Sequence, residues 1–173
     1  MEFFDVIRSR QSIRIFTQKP VEPEKLETIL DAAVNRAPSA GNLQSYRVYV
    51  VKRPSDRQAI RQAARDREYI TSAPVVLVFC TDGARSAARY GQRGARYCVQ
   101  DATIAATFAM LAATAQGLAS VPVGAFDDEG VRQAIGAPEG FVPVLLLPIG
   151  YPAETPERRA RRPMSEVVYR LPD

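Results

Sequence analysis

Residues 97–117 read YCVQDATIAATFAMLAATAQG, and this stretch decides the fold. Ala102, Ala105, Ala106, Ala109, Ala112 and Ala113 recur at helical spacing, with Ile104, Phe108, Met110 and Leu111 between them, which predicts one long helix over Tyr97–Gly117 that is apolar nearly all round. Such a helix is buried in a core or at a subunit interface, and its alanines let a neighbouring backbone approach closely. Its most apolar part, Ala102–Ala115, is shorter than the ~18 residues of a membrane span and carries three threonines, so no membrane partner is expected.

Strand patterns surround this helix. Pro74-Val75-Val76-Leu77-Val78-Phe79-Cys80 is apolar throughout, as a central strand must be, and Val142–Ile149 is a second such run with Pro143 and Pro148 near its ends. Val48–Val51 is a third. Ser120–Phe126 is a fourth, on an edge or bulged because Pro122 lacks an N–H. Short helices are predicted after Phe3, from Pro23 to about Ala37, from a Ser55 or Asp56 cap to about Asp66, and over Asp127–Ile135 before Gly136. Asp82–Gly94 is polar and glycine-containing and reads as a surface loop or a frayed helix. These elements do not alternate as βαβ units, and no GxGxxG or GxxxxGK[ST] motif is present, which disfavours a dinucleotide-binding or P-loop domain. The expected fold class is α+β, a mainly antiparallel central sheet flanked by helices.

The 173 residues suit a single domain, 1–173, with a C-terminal arm over 152–173. Residues 152–163 hold three prolines and four arginines and read as extended, and Val167-Val168-Tyr169 offers a last short strand. The 23 basic and 19 acidic residues give a net charge of +4, too small to point to nucleic acid. The chain has no histidine, which excludes a Ser-His-Asp triad, a Cys-His pair and a His-based zinc site. Cys80 and Cys98 lie in apolar sequence and read as reduced core thiols. The N-terminus lacks the pattern of a signal peptide, so a cytoplasmic location is expected.

Three segments carry candidate chemistry. Arg10, Ser12 and Arg14 alternate along an extended segment, placing two guanidinium forks and a hydroxyl on one side, a set suited to a phosphate monoester or to a plain solvated turn. Pro38-Ser39-Ala40-Gly41-Asn42-Leu43-Gln44 offers a hydroxyl, two amides and open backbone, groups able to read the edge of a planar heterocycle or merely to join a helix to a strand. Arg158-Arg159-Ala160-Arg161-Arg162 is a charge run, either a solvated tail or a docked arm.

Taken together, these segments resemble the nitroreductase family. Arg10-Gln11-Ser12-Ile13-Arg14-Ile15-Phe16 is similar to its N-terminal signature, and Pro38–Gln44 to its second. The third is matched by Asp101 opening the alanine-rich helix, with Gly117-Leu118 and Val123-Gly124-Ala125-Phe126 following, and the C-terminal one by Leu147–Pro152 with Arg161-Arg162-Pro163. The resemblance spans nearly the whole chain in order.

It implies an FMN-binding homodimer with the long helix in the interface and the last strand exchanged into the partner's sheet. Arg10, Gln11, Ser12 and Arg14 would hold the FMN phosphate, ribityl chain and pyrimidine edge, joined at the phosphate by Arg161 and Arg162. Pro38, Ser39, Asn42 and Gln44 would face the flavin from the other chain, and Pro122, Val123 and Gly124 would approach the ring. NADH or NADPH would be the electron donor and an electron-poor small molecule, such as a nitroaromatic or quinone, the acceptor. No side chain need act as acid, base or nucleophile, since the flavin carries the chemistry. A flavin-binding protein without nicotinamide turnover and an offshoot with specialised chemistry such as reductive dehalogenation are the alternatives. The chain departs from the family in Gln44-Ser45-Tyr46, where Gln-Pro-Trp is common, and is short, without the inserted helices that cover the flavin in larger members.

Overall fold

The computed structural model describes residues 1–172. Four antiparallel strands form one sheet in the order β1-β2-β4-β3: β1 (Tyr46–Val51), β2 (Val75–Asp82), β3 (Ala119–Ser120) and β4 (Phe141–Gly150). Side chains alternate across a strand, so the apolar run of β2 supplies two cores at once. Val76, Val78 and Cys80 face one core, with Ile60, Ile70 and Val131. Val75, Leu77 and Phe79 face the other, with Leu26, Ile29 and the alanines of the long helix. β2 and β4 occupy the centre, as their composition demands, and their ladder shifts register between Phe79 and Cys80.

The first core is covered by α3 (Pro54–Ala63), α4 (Tyr69–Ser72) and α7 (Asp128–Ala134); the second by α2 (Pro23–Thr28) and α6 (Gly94–Ala115). α1 (Phe3–Ser9) lies against α6. The α2 chain continues as a π turn, Ile29–Ala33, and a 3-10 turn, Val34–Arg36, so it stays helical almost to the expected end. α3 starts earlier than Ser55 or Asp56 would have it: Pro54 fills its first turn, where a missing N–H costs nothing. Ala102, Ala105, Ala106, Ala109 and Ala113 of α6 are buried on the sheet, and Val99, Ile104 and Phe108 remain exposed. The run Gly83–Ala115 is long and apolar enough by composition to cross a membrane, unlike the shorter window seen in the sequence, yet its alanine face packs on β2 and β4.

One expectation is corrected, one pair of alternatives is decided, and one expected strand does not form within the single chain. Of the two readings of Asp82–Gly94 the helical one holds: α5 (Gly83–Tyr90) occupies it, started by the Asp82 carboxylate, which accepts the Arg85 N–H at 3.0 Å, and ended by Gly91 at φ 54°. Gly94 then lets α5 lie directly on α6, because a Cβ there would sit 2.6 Å from the Ala87 backbone nitrogen. Ser120–Phe126 is strand only at Ala119–Ser120, with one further bridge where Val123 and Leu146 exchange N–H···O bonds of 2.9 Å; Pro122, without an N–H, interrupts the ladder between them. Val167–Tyr169 forms no strand within the single chain. It follows a 3-10 turn, Met164–Glu166, and is exposed, paired with none of the described strands. Asp173, the last residue of the expected arm, lies outside the described residues.

The arm leaves β4 at Tyr151 and folds back along residues 14–17. Thr17 N–H donates to Tyr151 O and Ala153 N–H to Ile15 O, both at 2.9 Å, and Phe16 bridges Pro152. A polar knot fixes its root. The Tyr151 hydroxyl lies 2.7 Å from one Glu22 carboxylate oxygen and 2.9 Å from the other, and Lys25 Nζ donates to that hydroxyl at 2.8 Å and to Gln116 O, near the end of α6, at 2.9 Å.

Candidate functional site

The segment Arg10–Arg14 is held extended from both sides. Ile13 N–H donates to Ser120 O at 3.1 Å, and Ser12 bridges Ser120 in parallel. On the other side the Glu154 carboxylate accepts the N–H groups of Arg14 and of Ile15, the latter at 3.1 Å. Gln11 faces the arm: with its amide turned so that nitrogen and oxygen meet complementary groups, it donates to Pro156 O at 3.0 Å and accepts from Arg158 Nε at 3.1 Å. Between segment and arm lies an open cavity of about 1160 Å³ lined by Arg8, Arg10, Arg14, Arg158, Arg159 and Arg161, together with Gln11 and Ser12. Six guanidinium groups around one cavity form an anion cradle, and their planar forks suit phosphate oxygens.

The structure therefore brings together Arg10, Gln11, Ser12, Arg14 and Arg161 from the sequence-based set. It adds Arg8, Arg158 and Arg159, of which the last two stood in the noted charge run without an assigned role. Arg162 is turned away to Glu166, with Nε 3.0 Å from its carboxylate. Pro122, Val123 and Gly124 adjoin the same region through the Ser12–Ser120 bridge. The Val123 N–H is spent on Leu146 O, whereas Gly124 is exposed, open to contact, and its N–H meets no backbone acceptor among the described residues.

Pro38, Ser39, Asn42 and Gln44 lie elsewhere. Their loop contains a 3-10 turn, Ala40–Asn42, and places Gly41, Asn42 and Gln44 at φ of 54°, 57° and 46°. Glycine and asparagine visit this left-handed region readily, but glutamine held there costs about 1–3 kcal/mol, which the surroundings must offset. They do so with side chains. Ser39 Oγ accepts the Gln44 N–H at 2.9 Å, Arg85 donates to Leu43 O at 2.6 Å and Arg89 to Gly41 O at 3.2 Å. Asp101, near the start of α6, accepts the Ala40 N–H at 2.8 Å. Arg10, by contrast, approaches α6 at Met110, with Nη1 4.0 Å from its sulfur. Nine residues of helix separate those two anchor points, about 13 Å along the axis.

The family model described as Nitroreductase family matches residues 7–70 and 65–151. The chain belongs to the nitroreductase family. Its relatives include a Thermus thermophilus protein named NADH dehydrogenase, 35% identical over 187 aligned positions, covering 92% of this chain and 91% of that one. The FMN reductase [NAD(P)H] of Bacillus subtilis is 31% identical, covering 94% and 72% of the two chains. Among solved structures, the NADPH:FMN oxidoreductase from Vibrio harveyi complexed with NAD+ superposes with a TM-score of 0.88 at 29% identity, over 97% of this chain and 76% of the other. The nitroreductase fold is thus shared over 97% of the chain, and the antiparallel sheet expected from sequence is its core.

Three tyrosines of the chain have distinct surroundings. Tyr69 packs beneath the first core and takes a 2.7 Å hydrogen bond from Arg67. Tyr90 and Tyr97 meet edge to face, with ring centroids 5.0 Å apart, and the Tyr90 hydroxyl lies 2.4 Å from where a Gly41 Cβ would be. Helix α5 is what carries Tyr90, Arg85 and Arg89 to the Pro38–Gln44 loop. Cys80 is fully buried in β2, and burial pushes its thiol up to about 12, so it is an inert core group at neutral pH.

Proposed function

We propose that this chain is an FMN-dependent oxidoreductase that takes reducing equivalents from NAD(P)H and passes them to an electron-poor acceptor such as a nitroaromatic or a quinone. The observation that carries this reading is the convergence of Arg10, Ser12 and Arg14 with Arg161 around one cavity, in a family whose relatives are named for flavin and nicotinamide chemistry. The residues fit the cofactor: a phosphate monoester needs several fixed cationic donors, and this cradle supplies them beside a hydroxyl. FMN, when bound, would supply the hydride-transfer chemistry. Arg10, Ser12 and Arg161 would hold its phosphate; Arg14 would place positive charge beside the ring, favouring its reduced, anionic form; and the open Gly124 N–H would be available to the ring edge.

A homodimer completes this reading. One chain holds the phosphate cradle and the Pro38–Gln44 loop about 13 Å apart along α6, so antiparallel α6 helices from two copies would bring one copy's loop to the other's cradle. Phe3, Phe4, Ile7, Ile104 and Phe108 are exposed apolar side chains on α1 and α6, available for that contact. The outer edge of β1 has no neighbour among the described residues, and Val167–Tyr169 is a strand-forming sequence paired with none of the described strands. The 152–173 arm would reach across and pair there, with unpaired backbone groups on both sides as the driving need.

The test is anaerobic reduction of the purified protein. Yellow protein whose colour is bleached by NADH or NADPH and restored by a quinone supports the reading, and the two nicotinamides compared side by side give the donor preference. Bound FMN that neither nicotinamide bleaches would reassign the chain to flavin binding without turnover.

A further inference from the structure

The side chain of Asp101 is 2% exposed, and among the described residues no cation pairs with it. Its Oδ1 accepts the Ala40 N–H at 2.8 Å, while Oδ2 is buried without a partner. A lone carboxylate is costly to bury, and a neutral residue would fill the same space more cheaply. The loop's own backbone pairs the N–H groups of Asn42 and Leu43 with Ser39 O and Ala40 O, but not that of Ala40, and what Asp101 supplies for it is a buried, fixed acceptor on the longest helix of the fold. Gly41, Asn42 and Gln44 are all left-handed, a conformation that persists only where the surroundings over-determine it. The other clamps on this loop, Arg85 and Arg89, are exposed side chains with freedom to leave. Tyr46 does not relieve the carboxylate, since its hydroxyl donates to Val34 O at 2.9 Å.

We propose that Asp101 is a positioning residue for the cofactor: by holding the Ala40 N–H it fixes the Ser39–Gln44 loop in the one geometry that presents Ser39, Asn42 and Gln44 to the flavin. The proposal rests on the FMN reading above. Asp101 itself touches no ligand and acts through the loop.

The experiment compares the full-length wild type with Asp101→Asn, which keeps an acceptor oxygen, and Asp101→Ala, which does not; Asp101→Val, nearer in size, replaces the alanine variant if that one does not fold. Hydrogen exchange of residues 39–44 and of β2 is followed by mass spectrometry, and FMN affinity by titration, with Arg14→Ala alongside. The proposal predicts faster exchange confined to 39–44 and FMN binding weakened about tenfold or more in Asp101→Ala, with Asp101→Asn close to wild type in both. Unchanged loop exchange in Asp101→Ala would overturn it, as would faster exchange that spreads into β2, the mark of a merely structural role. So would unchanged FMN affinity in Asp101→Ala when Arg14→Ala binds more weakly. If Arg14→Ala also binds FMN normally, it is the cofactor reading itself that fails, and the proposal with it.

Discussion

Glu154 accepts the backbone N–H of Arg14, so an acidic residue of the arm holds in place the backbone that carries one of the cationic side chains of the cradle. The same carboxylate takes the Ile15 N–H at 3.1 Å, and Ala153 N–H returns to Ile15 O at 2.9 Å. Arm and segment are therefore one structural unit, although 140 positions separate their contacts in sequence. Replacing Glu154 with alanine removes the one carboxylate oxygen that accepts both N–H groups. The site is exposed, so the loss is about 1 kcal/mol rather than the larger value of a shielded charged hydrogen bond. FMN binding should weaken about fivefold with little change in thermal stability, measured by flavin titration and by a melting curve.

The close approach of α5 to α6 makes a prediction with an unusual sign. Gly94→Ala should stabilise an exposed helix by about 1 kcal/mol. Here the added Cβ would meet Ala87 N at 2.6 Å and Ser86 C at 2.7 Å, backbone atoms that cannot turn aside. Overpacking of this kind costs about 1–3 kcal/mol, so urea unfolding should show a net loss of stability. Since α5 also carries Arg85 and Arg89 to the Pro38–Gln44 loop, flavin affinity should fall with it.

Acid should loosen the root of the arm. The hydrogen bond from the Tyr151 hydroxyl, with help from Lys19, holds the Glu22 carboxyl down at about 2, below its ordinary 4.5. A depressed carboxylate stabilises the fold fully above 4.5, and that contribution is lost as pH falls toward about 2. The stability difference between wild type and Glu22→Gln should accordingly be constant above pH 4.5 and shrink below it, as read from denaturant unfolding across that range.

How much of this was legible in the sequence follows from the range of the forces involved. α6 and the two central strands were legible because burial writes itself into composition: the alanine stripe and the apolar run of β2 have no other use. α5 was legible only as one of two readings. Its residues are mostly polar, and what makes it a helix is the Asp82 cap and the space left at Gly94, a tertiary contact. Ser120–Phe126 is less of a strand than its composition implies: Val121 and Val123 are buried as a strand's residues would be, but Pro122 takes one rung from the ladder. Val167–Tyr169 has the composition of a strand but pairs with none of the described strands of its own chain. Of the candidate site, the phosphate-type residues Arg10, Ser12 and Arg14 were readable from alternation, and Arg161 from the family pattern. The use of Gln11 to tie down Pro156 and Arg158, and the inclusion of Arg159, depend on how the arm folds back, which no local pattern encodes.

The central claim is that the Arg10–Arg14 segment, closed by the arm, binds the phosphate of FMN. Its most direct test is the FMN dissociation constant of wild type against the double variant Arg10→Ala, Arg14→Ala. Each charged donor contributes roughly 1.5–3 kcal/mol, so the pair should weaken binding about a hundredfold or more while the fold and its melting temperature are kept. Stoichiometric FMN retained by the folded double variant would contradict the account.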